Sequence, residues 1–274
     1  MKAQERCPLC GATQQEFAHR YASPPAGETD FSIPTAEYAR EYRRCGACCH
    51  LAAALELDLD SLYGGEYVDA TYAEGKLLET YERINALPPE RSDNAQRVQR
   101  IDQWWEDTRP HIPRTLLDVG SGLGVFPARM KTLGWTCTAL DPDPRATRHA
   151  RDHVGVDVVQ ADFMEADDVG RFNLITFNKV LEHVRDPVAM LARSTDILGP
   201  EGVVYVEVPD GEMAATDPLG FEREEFFIEH LHVFSMQSLS ILADRAGFAT
   251  LQAERLHEPS GKYTLYAFLS PEGG

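Results

Sequence analysis

The hydrophobic pattern changes near Pro113. Downstream of it, short apolar runs alternate with stretches in which apolar residues recur every three or four positions, which predicts strands alternating with helices. The predicted strands are "TLLDVGSG", "TCTALDPD", "VDVVQADF", "FNLITFN" and "GVVYVEVP". Strands in buried, near-continuous apolar runs, separated by helices, are typical of a doubly wound α/β sheet.

The last part of the chain departs from this alternation. A predicted helix in "SMQSLSILADRAGF" is followed by two strand-like runs, "ATLQAERL" and "YTLYAFLS". No long helix separates these two runs, so they are expected to form a hairpin. The sheet is therefore predicted to be mixed at one edge.

Upstream of Pro113 the pattern is helical. In "SDNAQRVQRIDQWWEDTRP", Val98, Ile101, Trp104 and Trp105 follow one another at the spacing of a helix face. The pattern predicts an amphipathic helix that ends before Pro110, because proline cannot continue it. Both tryptophans are expected in the core.

Cysteine is concentrated at the start of the chain, with five of the six cysteines before residue 50. Two Cys-x-x-Cys turns each aim two thiolates at one point, and together they can complete a tetrahedral zinc site. The predicted ligands are Cys7, Cys10, Cys45 and Cys48. A closed four-thiolate site leaves no position for chemistry, so this zinc is expected to be structural. A ligand exchange with Cys49 or His50, or a redox pair, remains open.

The composition of the chain limits the kinds of molecule that it can bind. The chain has 274 residues, 44 of them acidic and 26 basic, which gives a net charge of −18. Such a field repels phosphate backbones, so nucleic acid is a disfavoured substrate. No apolar run approaches the roughly 20 residues of a membrane span, and the first residues lack the apolar stretch of a secretory signal. A cytoplasmic protein without a membrane segment is expected.

A glycine-rich turn follows the first predicted strand. Gly120, Gly122 and Gly124 would let the backbone approach a nucleoside closely. Asp118 precedes the turn and can hold it or meet a cationic amine. Asp141 follows 23 positions later, at the end of the next strand, where a carboxylate can accept both ribose hydroxyls.

The third strand ends in "ADF", which places Asp162 where it could take an adenine amino group and Phe163 beside the ring. NAD is an alternative ligand, although Val125 stands where the dinucleotide pattern has its last glycine. Simple turn glycines and helix caps are the purely structural interpretation.

Residues 113–250 resemble class I S-adenosylmethionine-dependent methyltransferases, in which "LLDVGSGLG", "ALDPD", "ADF" and "FNKVLEHVRDP" occur in this order. The resemblance implies a Rossmann-like doubly wound sheet and S-adenosylmethionine as cofactor. It implies that Asn178 and Lys179 line the methionyl side and that His183 lies near the site. The expected cofactor-binding set is Asp118, Gly120, Ser121, Gly122, Gly124, Asp141, Pro142, Asp162, Phe163, Asn178, Lys179 and His183.

A closer resemblance includes both ends of the chain. Nucleotide-sugar C-methyltransferases of bacterial deoxysugar pathways are similar in pairing a four-cysteine zinc region with this fold, although they carry an additional C-terminal domain. They also have a "VEVP" strand followed by a Tyr-x-Glu-His-Leu segment. The resemblance implies that His230 is the base and that Glu229 binds or orients the sugar, while Phe227 replaces the tyrosine.

The stretch "FFIEHLHVFS" remains open to other interpretations. Alternation as in a strand would send His230 and His232 to one side, which allows a His-x-His metal site, and packing is the third possibility. His232 is expected to be structural. His183 is equally compatible with a helix cap or a surface imidazole.

Three segments are predicted: a zinc-binding region at 1–65, a helical connector covering the cofactor site at 66–112, and a methyltransferase domain at 113–274 with a substrate lid at 209–234. The connector follows a turn at Gly64 and Gly65, and its first helix runs to about Ile84. The predicted activity is C- or O-methylation of a sugar or sugar-nucleotide-like small molecule. Alternatives are O-methylation of another metabolite or glycan, zinc-assisted RNA methylation, and a non-enzymatic zinc-bearing binding protein.

Overall fold

The computed structural model describes residues 6–31, 33, 38–55 and 76–272. The predicted turn at Gly64 and Gly65 and the beginning of the helix after it lie outside these residues.

A seven-stranded sheet forms the centre of the protein, in the order β10-β11-β8-β7-β4-β5-β6. The five strands from β8 to β6 are parallel, as the alternating pattern predicts. They are β4 (Thr115–Val119), β5 (Thr136–Asp141), β6 (Asp157–Gln160), β7 (Phe172–Asn178) and β8 (Leu198–Pro209).

The mixed edge of the sheet is also confirmed. Strand β10 (Phe248–His257) pairs antiparallel with β11 (Tyr263–Pro271), and β11 pairs antiparallel with β8. This hairpin places Thr264 opposite Pro209, at the end of β8 where the parallel strands finish.

Seven α-helices are described: α1 (Lys76–Asn85), α2 (Asp93–Thr108), α3 (Val125–Thr132), α4 (Pro144–His149), α5 (Pro187–Arg193), α6 (Gly211–Thr216) and α7 (Met236–Arg245). Helix α4 continues into a wider π turn, Ala150–Val154. Within the described residues, no helix has the length and apolar character needed to cross a membrane.

Helix α2 matches its predicted face. Val98, Ile101 and Trp105 are buried, and the ring of Trp104 stacks on Phe268 of β11 with centroids 4.2 Å apart. The helix starts at a Ser92 cap, whose side chain accepts the amide of Ala95, and it ends before Pro110. The apolar stripe thereby fixes α2 against one face of the large sheet.

A second sheet has the order β1-β2-β3-β9 and is antiparallel. Its first three strands, β1 (Gln15–Tyr21), β2 (Arg40–Cys45) and β3 (Leu51–Leu55), come from the start of the chain. Its fourth, β9 (His232–Val233), comes from the end of the predicted lid. The N-terminal region and the lid thus share one sheet.

The strand-like alternation that would put both histidines of "FFIEHLHVFS" on one side does not extend along the stretch. Only His232–Val233 is a strand, and Glu224–Phe226 is a short 3₁₀ turn. The peptide groups before His232 bond to side chains of the N-terminal sheet instead, so the two histidines do not share one strand face.

Candidate active site

The glycine-rich turn between β4 and α3 requires glycine. Gly120, Gly122 and Gly124 all have positive φ, of 67°, 50° and 66°, where other residues are strained. A Cβ atom at Gly120 would also lie 2.8 Å from Cγ2 of Val180. The turn therefore brings bare backbone to the carboxyl end of the sheet, beside the loop that follows β7.

Asp141, at the end of β5, organises this turn. Its Oδ2 accepts the amide of Gly122 at 2.9 Å, and its Oδ1 accepts the amide of Asp143 at the same distance. Burial raises the pKa of Asp141, and the two amides oppose that rise. Each carboxylate oxygen retains a further lone pair, so both can accept a ribose hydroxyl.

Asp118 is buried at the end of β4. Its Oδ1 accepts the Thr176 hydroxyl at 2.7 Å and the side-chain amide of Asn178 at 2.8 Å. Burial raises the pKa of Asp118 to about 7, even though these two donors lower it. The carboxylate thereby ties β4 to β7 at the edge of the turn.

Two buried polar atoms beside the turn support a bound ligand. The hydroxyl of Ser121 and Oδ1 of Asn178 have no hydrogen-bond partner among the residues that the structure describes. A buried acceptor without a donor is costly. A cofactor with an amino group and hydroxyls, such as S-adenosylmethionine, offers the partners that these atoms need.

The predicted adenine side is less enclosed. Asp162 is exposed, and its Oδ1 accepts the amide of Met164 at 2.8 Å. Phe163 is buried and meets Phe177 edge-on, with centroids 5.5 Å apart. Pro142 is exposed beside Asp141. Their contacts with an adenine ring remain predictions.

Lys179 follows β7 in a left-handed conformation, with φ of 62°. Its Nζ donates to the Thr264 hydroxyl at 2.6 Å, which ties this loop to β11. Burial lowers the pKa of Lys179, while Glu207 and Glu182 raise it. A non-glycine residue held with positive φ at a strand end is often found at a functional site.

Two histidines from distant parts of the chain meet here. The rings of His183 and His230 have centroids 4.8 Å apart. Nδ1 of His183 lies 2.9 Å from the carbonyl oxygen of Glu229, and Nδ1 of His230 lies 2.9 Å from that of Glu225. A carbonyl only accepts, so each Nδ1 carries the proton. The lone pair of each neutral ring is then on Nε2.

Both rings are held neutral. Burial lowers the pKa of His183, and burial together with the neighbouring His183 holds the pKa of His230 well below its usual value. Lys179 lowers both further. At neutral pH each imidazole can therefore accept a proton, as a base must.

Glu182 is a site residue that sequence reasoning missed. It is fully buried, and a carboxylate oxygen of Glu182 and one nitrogen each of His183 and His230 all lie within 4.8 Å of one another. The only sequence signal was its position directly before His183 in "LEHV". Glu229, the predicted acidic partner, meets His183 through its backbone carbonyl.

His232 lies apart from this pair. Its Nδ1 is 3.0 Å from Nε2 of His50, and both residues are buried. The backbone of Val184 and Arg185 raises the pKa of His232, but burial lowers it more, to about 4. The two histidines of "EHLH" therefore have different partners.

The N-terminal sheet holds the backbone around His230. The Tyr42 hydroxyl donates to the carbonyl of His230 at 2.6 Å, and Arg40 donates to that of Phe226 at 2.6 Å. Glu28, paired with Arg40 at 2.8 Å, accepts the amide of Ile228 at 2.7 Å. These contacts come from buried side chains, so they position the histidine firmly.

A second charged cluster lies near Lys179. Glu207 of β8 is buried and pairs with Arg97 and Arg100 of α2, at 2.5 and 3.0 Å. Burial alone would raise the pKa of Glu207, but the two guanidinium groups and Lys179 lower it to about 2. The Tyr205 hydroxyl also donates to Glu207 at 2.6 Å. The helix pattern gave no signal for this cluster.

The four predicted zinc ligands converge. Sγ of Cys7 lies 3.7 Å from that of Cys48, Sγ of Cys10 lies 3.5 Å from that of Cys45, and all four lie within 4.8 Å of one another. Tetrahedral zinc with Zn–S bonds of about 2.3 Å separates its sulfurs by about 3.8 Å. The cluster therefore fits zinc. Sγ of Cys49 instead accepts a hydrogen bond from the Arg44 guanidinium group at 3.1 Å.

Comparison with known proteins gives the family. The family model described as a methyltransferase domain matches residues 63–253, which is more than half of the chain. The match includes the glycine-rich turn and both histidines of the pair.

Curated relatives are similar over part of this region. The ubiquinone biosynthesis O-methyltransferase of Thiobacillus denitrificans is 33% identical over 109 residues, 37% of this chain and 47% of the relative. That of Caulobacter vibrioides is 30% identical over 118 residues, 40% of this chain and 47% of the relative. The chain thus spans about half the length of the curated relatives that it matches.

Solved structures share the fold. The Burkholderia thailandensis 1,6-didemethyltoxoflavin-N1-methyltransferase, solved with S-adenosylhomocysteine, is 20% identical with a TM-score of 0.53 over 81% of this chain and 95% of that one. The magnesium protoporphyrin IX methyltransferase of Synechocystis is 11% identical with a TM-score of 0.54, over 72% and 95%. With the family match, these findings identify the chain as a member of the methyltransferase-domain family and an S-adenosylmethionine-dependent methyltransferase.

Proposed function

We propose that the protein transfers a methyl group from S-adenosylmethionine to a hydroxyl oxygen of a small molecule, with His230 as the base. The observation that carries this proposal is the pair of neutral imidazoles, His183 and His230, beside the loop that packs on the glycine-rich turn. The names of the curated relatives support oxygen as the acceptor atom.

The chain's own residues would bind and orient the cofactor. Asp141 would accept the ribose hydroxyls while it holds the turn, and Oδ1 of Asn178 would accept the amino group. S-adenosylmethionine, when bound, supplies an electrophilic methyl group. Methyl transfer is an in-line displacement, so much of the catalysis is positioning of the substrate oxygen.

The lowered pKa of His230 favours one kind of substrate hydroxyl over another. Its pKa lies well below the usual value, because burial and His183 both oppose a charge. Such an imidazole is a weak base, and it suits an acidic hydroxyl such as a phenol or an enol better than an alcohol. The Nδ1 contact with Glu225 keeps Nε2 as the accepting atom.

A sugar or sugar nucleotide remains the second substrate class. It rests on the Glu229–His230 pair and the "VEVP" strand of the deoxysugar-pathway resemblance, with carbon as the alternative acceptor. Glu229 is half-buried and lies beside His183. Its position supports a substrate that has a polar group next to this residue. A net charge of −18 argues against an RNA substrate.

We also propose one structural zinc at Cys7, Cys10, Cys45 and Cys48. The spacing of the four sulfurs supports it. The division of the chain at residues 65 and 112 stays a prediction.

The role of His230 is tested by comparing His230→Ala with the matched variant His232→Ala. Loss of the base should slow turnover by roughly 10²- to 10⁴-fold, while S-adenosylhomocysteine affinity and melting temperature stay near wild type. His232→Ala removes a buried imidazole outside the pair, so it should affect stability more than turnover per folded molecule. If His230→Ala lowers only the melting temperature, the histidine is structural.

The acceptor is identified with isotopically labelled S-adenosylmethionine and a panel of phenols, enols, sugar nucleotides and glycans. Mass spectrometry of the products would locate the label on oxygen or on carbon. Labelling of a sugar carbon, with none of the phenols or enols modified, would replace the O-methylation proposal with the second class.

A further inference from the structure

Glu182 has no role in the proposed binding of the cofactor or in the orientation of His230. Its side chain is fully buried, and neither carboxylate oxygen has a hydrogen-bond partner among the described residues. An isolated ionised carboxylate is among the costliest groups to bury, so such groups are paired or protonated. The backbone carbonyl of Glu182 is nevertheless used, because it accepts the amides of Leu231 and His232 at 2.8 and 3.2 Å.

The neighbours of Glu182 are acceptors as well. Nδ1 of His230 is committed to the carbonyl of Glu225, so the nitrogen left to face a new partner has a lone pair and no proton. Glu182, His183 and His230 together bring one carboxylate and two imidazoles within 4.8 Å. The Glu182 carboxylate and Nε2 of His230 are both acceptors, so the two can share one proton or hold another cation.

We propose that Glu182 and His230 form a proton-sharing pair, in which Glu182 takes from His230 the proton that the substrate hydroxyl releases. This inference rests on the proposed function and deepens it. It assigns a role to the buried carboxylate of Glu182.

The substrate oxygen forms a bond to the methyl carbon, and the carbon–sulfur bond breaks with its electron pair going to sulfur. The O–H proton moves to Nε2 of His230, and the imidazolium then gives that proton to Glu182. The carboxyl group is left neutral, which is the form that a buried site favours.

Charged neighbours favour a proton over a divalent cation. The ammonium groups of Lys179 and Lys262 act on both Glu182 and His230, and Lys179 also acts on His183. Two carboxylates act with the opposite sign, Glu207 on Glu182 and Glu229 on His183. The charge of Glu207 is taken up by Arg97 and Arg100. A dication would add to an already positive field. Burial raises the pKa of Glu182 to about 7, which is suitable for proton exchange at neutral pH.

The pair can be tested without a known substrate. In the complex with S-adenosylhomocysteine, infrared spectra of wild type and Glu182→Gln are compared across pH. Asp118, whose pKa is also about 7, contributes a carboxylic-acid stretch to both proteins, so the difference between their spectra is measured. Below about pH 7 we expect the wild type to show one further carboxylic-acid band, which disappears at higher pH and is missing from Glu182→Gln. Glu254→Gln, which removes an exposed carboxylate of β10, should retain the band. Identical spectra for wild type and Glu182→Gln would overturn the proposal.

With an acceptor from the panel, the pH dependence of kcat gives a second test. Wild-type turnover should fall as pH drops below about 7, because Glu182 then already holds a proton. In Glu182→Gln this fall should move at least one pH unit lower, and the plateau should drop roughly tenfold or more. Glu182→Asp should restore part of the loss. An unmoved profile would make Glu182 structural.

Metal analysis distinguishes a proton shared by Glu182 and His230 from a metal ion bound between them. Wild type and Glu182→Gln should hold the same amount of metal, all of it removed by replacing the four cysteines. Loss of one metal per chain in Glu182→Gln alone would overturn the proton-sharing pair. If no panel compound is O-methylated while the infrared band behaves as expected, the proposed function fails and the pair stands.

Discussion

At the scale of single residues, Asp141 connects the turn to the cofactor. Its two oxygens hold the amides of Gly122 and Asp143, so it acts on both sides of the end of β5. Replacing it would remove the ribose acceptor and loosen a turn whose glycines already have positive φ. Cofactor affinity and turn geometry are therefore coupled at this carboxylate.

We expect Asp141→Ala to weaken S-adenosylhomocysteine binding at least tenfold, about 1.4 kcal/mol. Calorimetry measures this directly. Asp157→Ala, which removes an exposed carboxylate at the start of β6, is the matched control and should leave affinity unchanged. Equal affinity for Asp141→Ala and wild type, or tight NADH binding with no response to S-adenosylhomocysteine, would contradict this assignment.

The sequence located the turn glycines and the four converging cysteines because the reason for each is local. Glycines with positive φ leave a spacing that can be recognised, as do two Cys-x-x-Cys turns. Glu182 left no such trace, because a glutamate beside an apolar run resembles a helix surface position. Its burial results from the return of the chain at Leu231 and His232, which bond to its carbonyl.

At the scale of elements, the contact between α2 and β8 combines packing with charge. Val98, Ile101 and Trp105 bury the apolar stripe that the pattern predicts, whereas Arg97 and Arg100 reach Glu207 from the same helix. Periodicity shows which face packs, but it does not show that a charged pair is buried within the contact. The position of α2 against β8 depends on both.

Arg97→Ala should destabilise the fold by about 3–5 kcal/mol, because it leaves Glu207 buried with one guanidinium fewer. Urea unfolding at pH 7 measures the change, with the exposed Arg91→Ala as control. The pKa of Glu207 is lowered from 4.5 to about 2. Its contribution to stability is therefore present above about pH 4.5 and is lost as pH falls toward 2. A difference between Arg97→Ala and wild type that is the same at pH 7 and pH 3 would contradict this account.

The doubly wound sheet followed from alternating strands and helices, since connection rules leave few topologies for that pattern. The last hairpin could also be predicted from the sequence, because only a short turn separates "ATLQAERL" from "YTLYAFLS". Strand β9 could not be predicted from the sequence in this way. Two residues carry no periodicity, and their partner strand β3 is remote in sequence.

At the scale of the whole molecule, the cysteine cluster is joined to the catalytic half of the chain. The Ser235 hydroxyl donates to the carbonyl of Cys48 at 2.6 Å, and Arg245 of α7 donates to the carbonyl of Pro8 at 2.9 Å. Leu51 pairs with Val233 in the shared sheet. A zinc at the cluster would therefore stabilise the support of His230 as well as its own loop.

We expect about one zinc per chain, lost in Cys48→Ser and kept in Cys49→Ser. Elemental analysis checks both. Removing the metal with a chelator should lower the melting temperature and turnover together, because the segment around His230 loses its support. The reverse pattern in the two variants would move the ligand from Cys48 to Cys49. Unchanged turnover in metal-free protein would separate the cluster from the site.

The pairing of β3 with β9 also sets an order of events during synthesis. His50 and His232 are 182 positions apart, so β3 has an unpaired edge until nearly the whole chain has left the ribosome. Contacts of such long range form late and slow the folding of a domain. The edge that later supports His230 is in the meantime open to pairing with other chains. Nascent protein is therefore expected to pass through a stage in which the thiols are gathered and the enzyme is still inactive, and chaperones would act most usefully then.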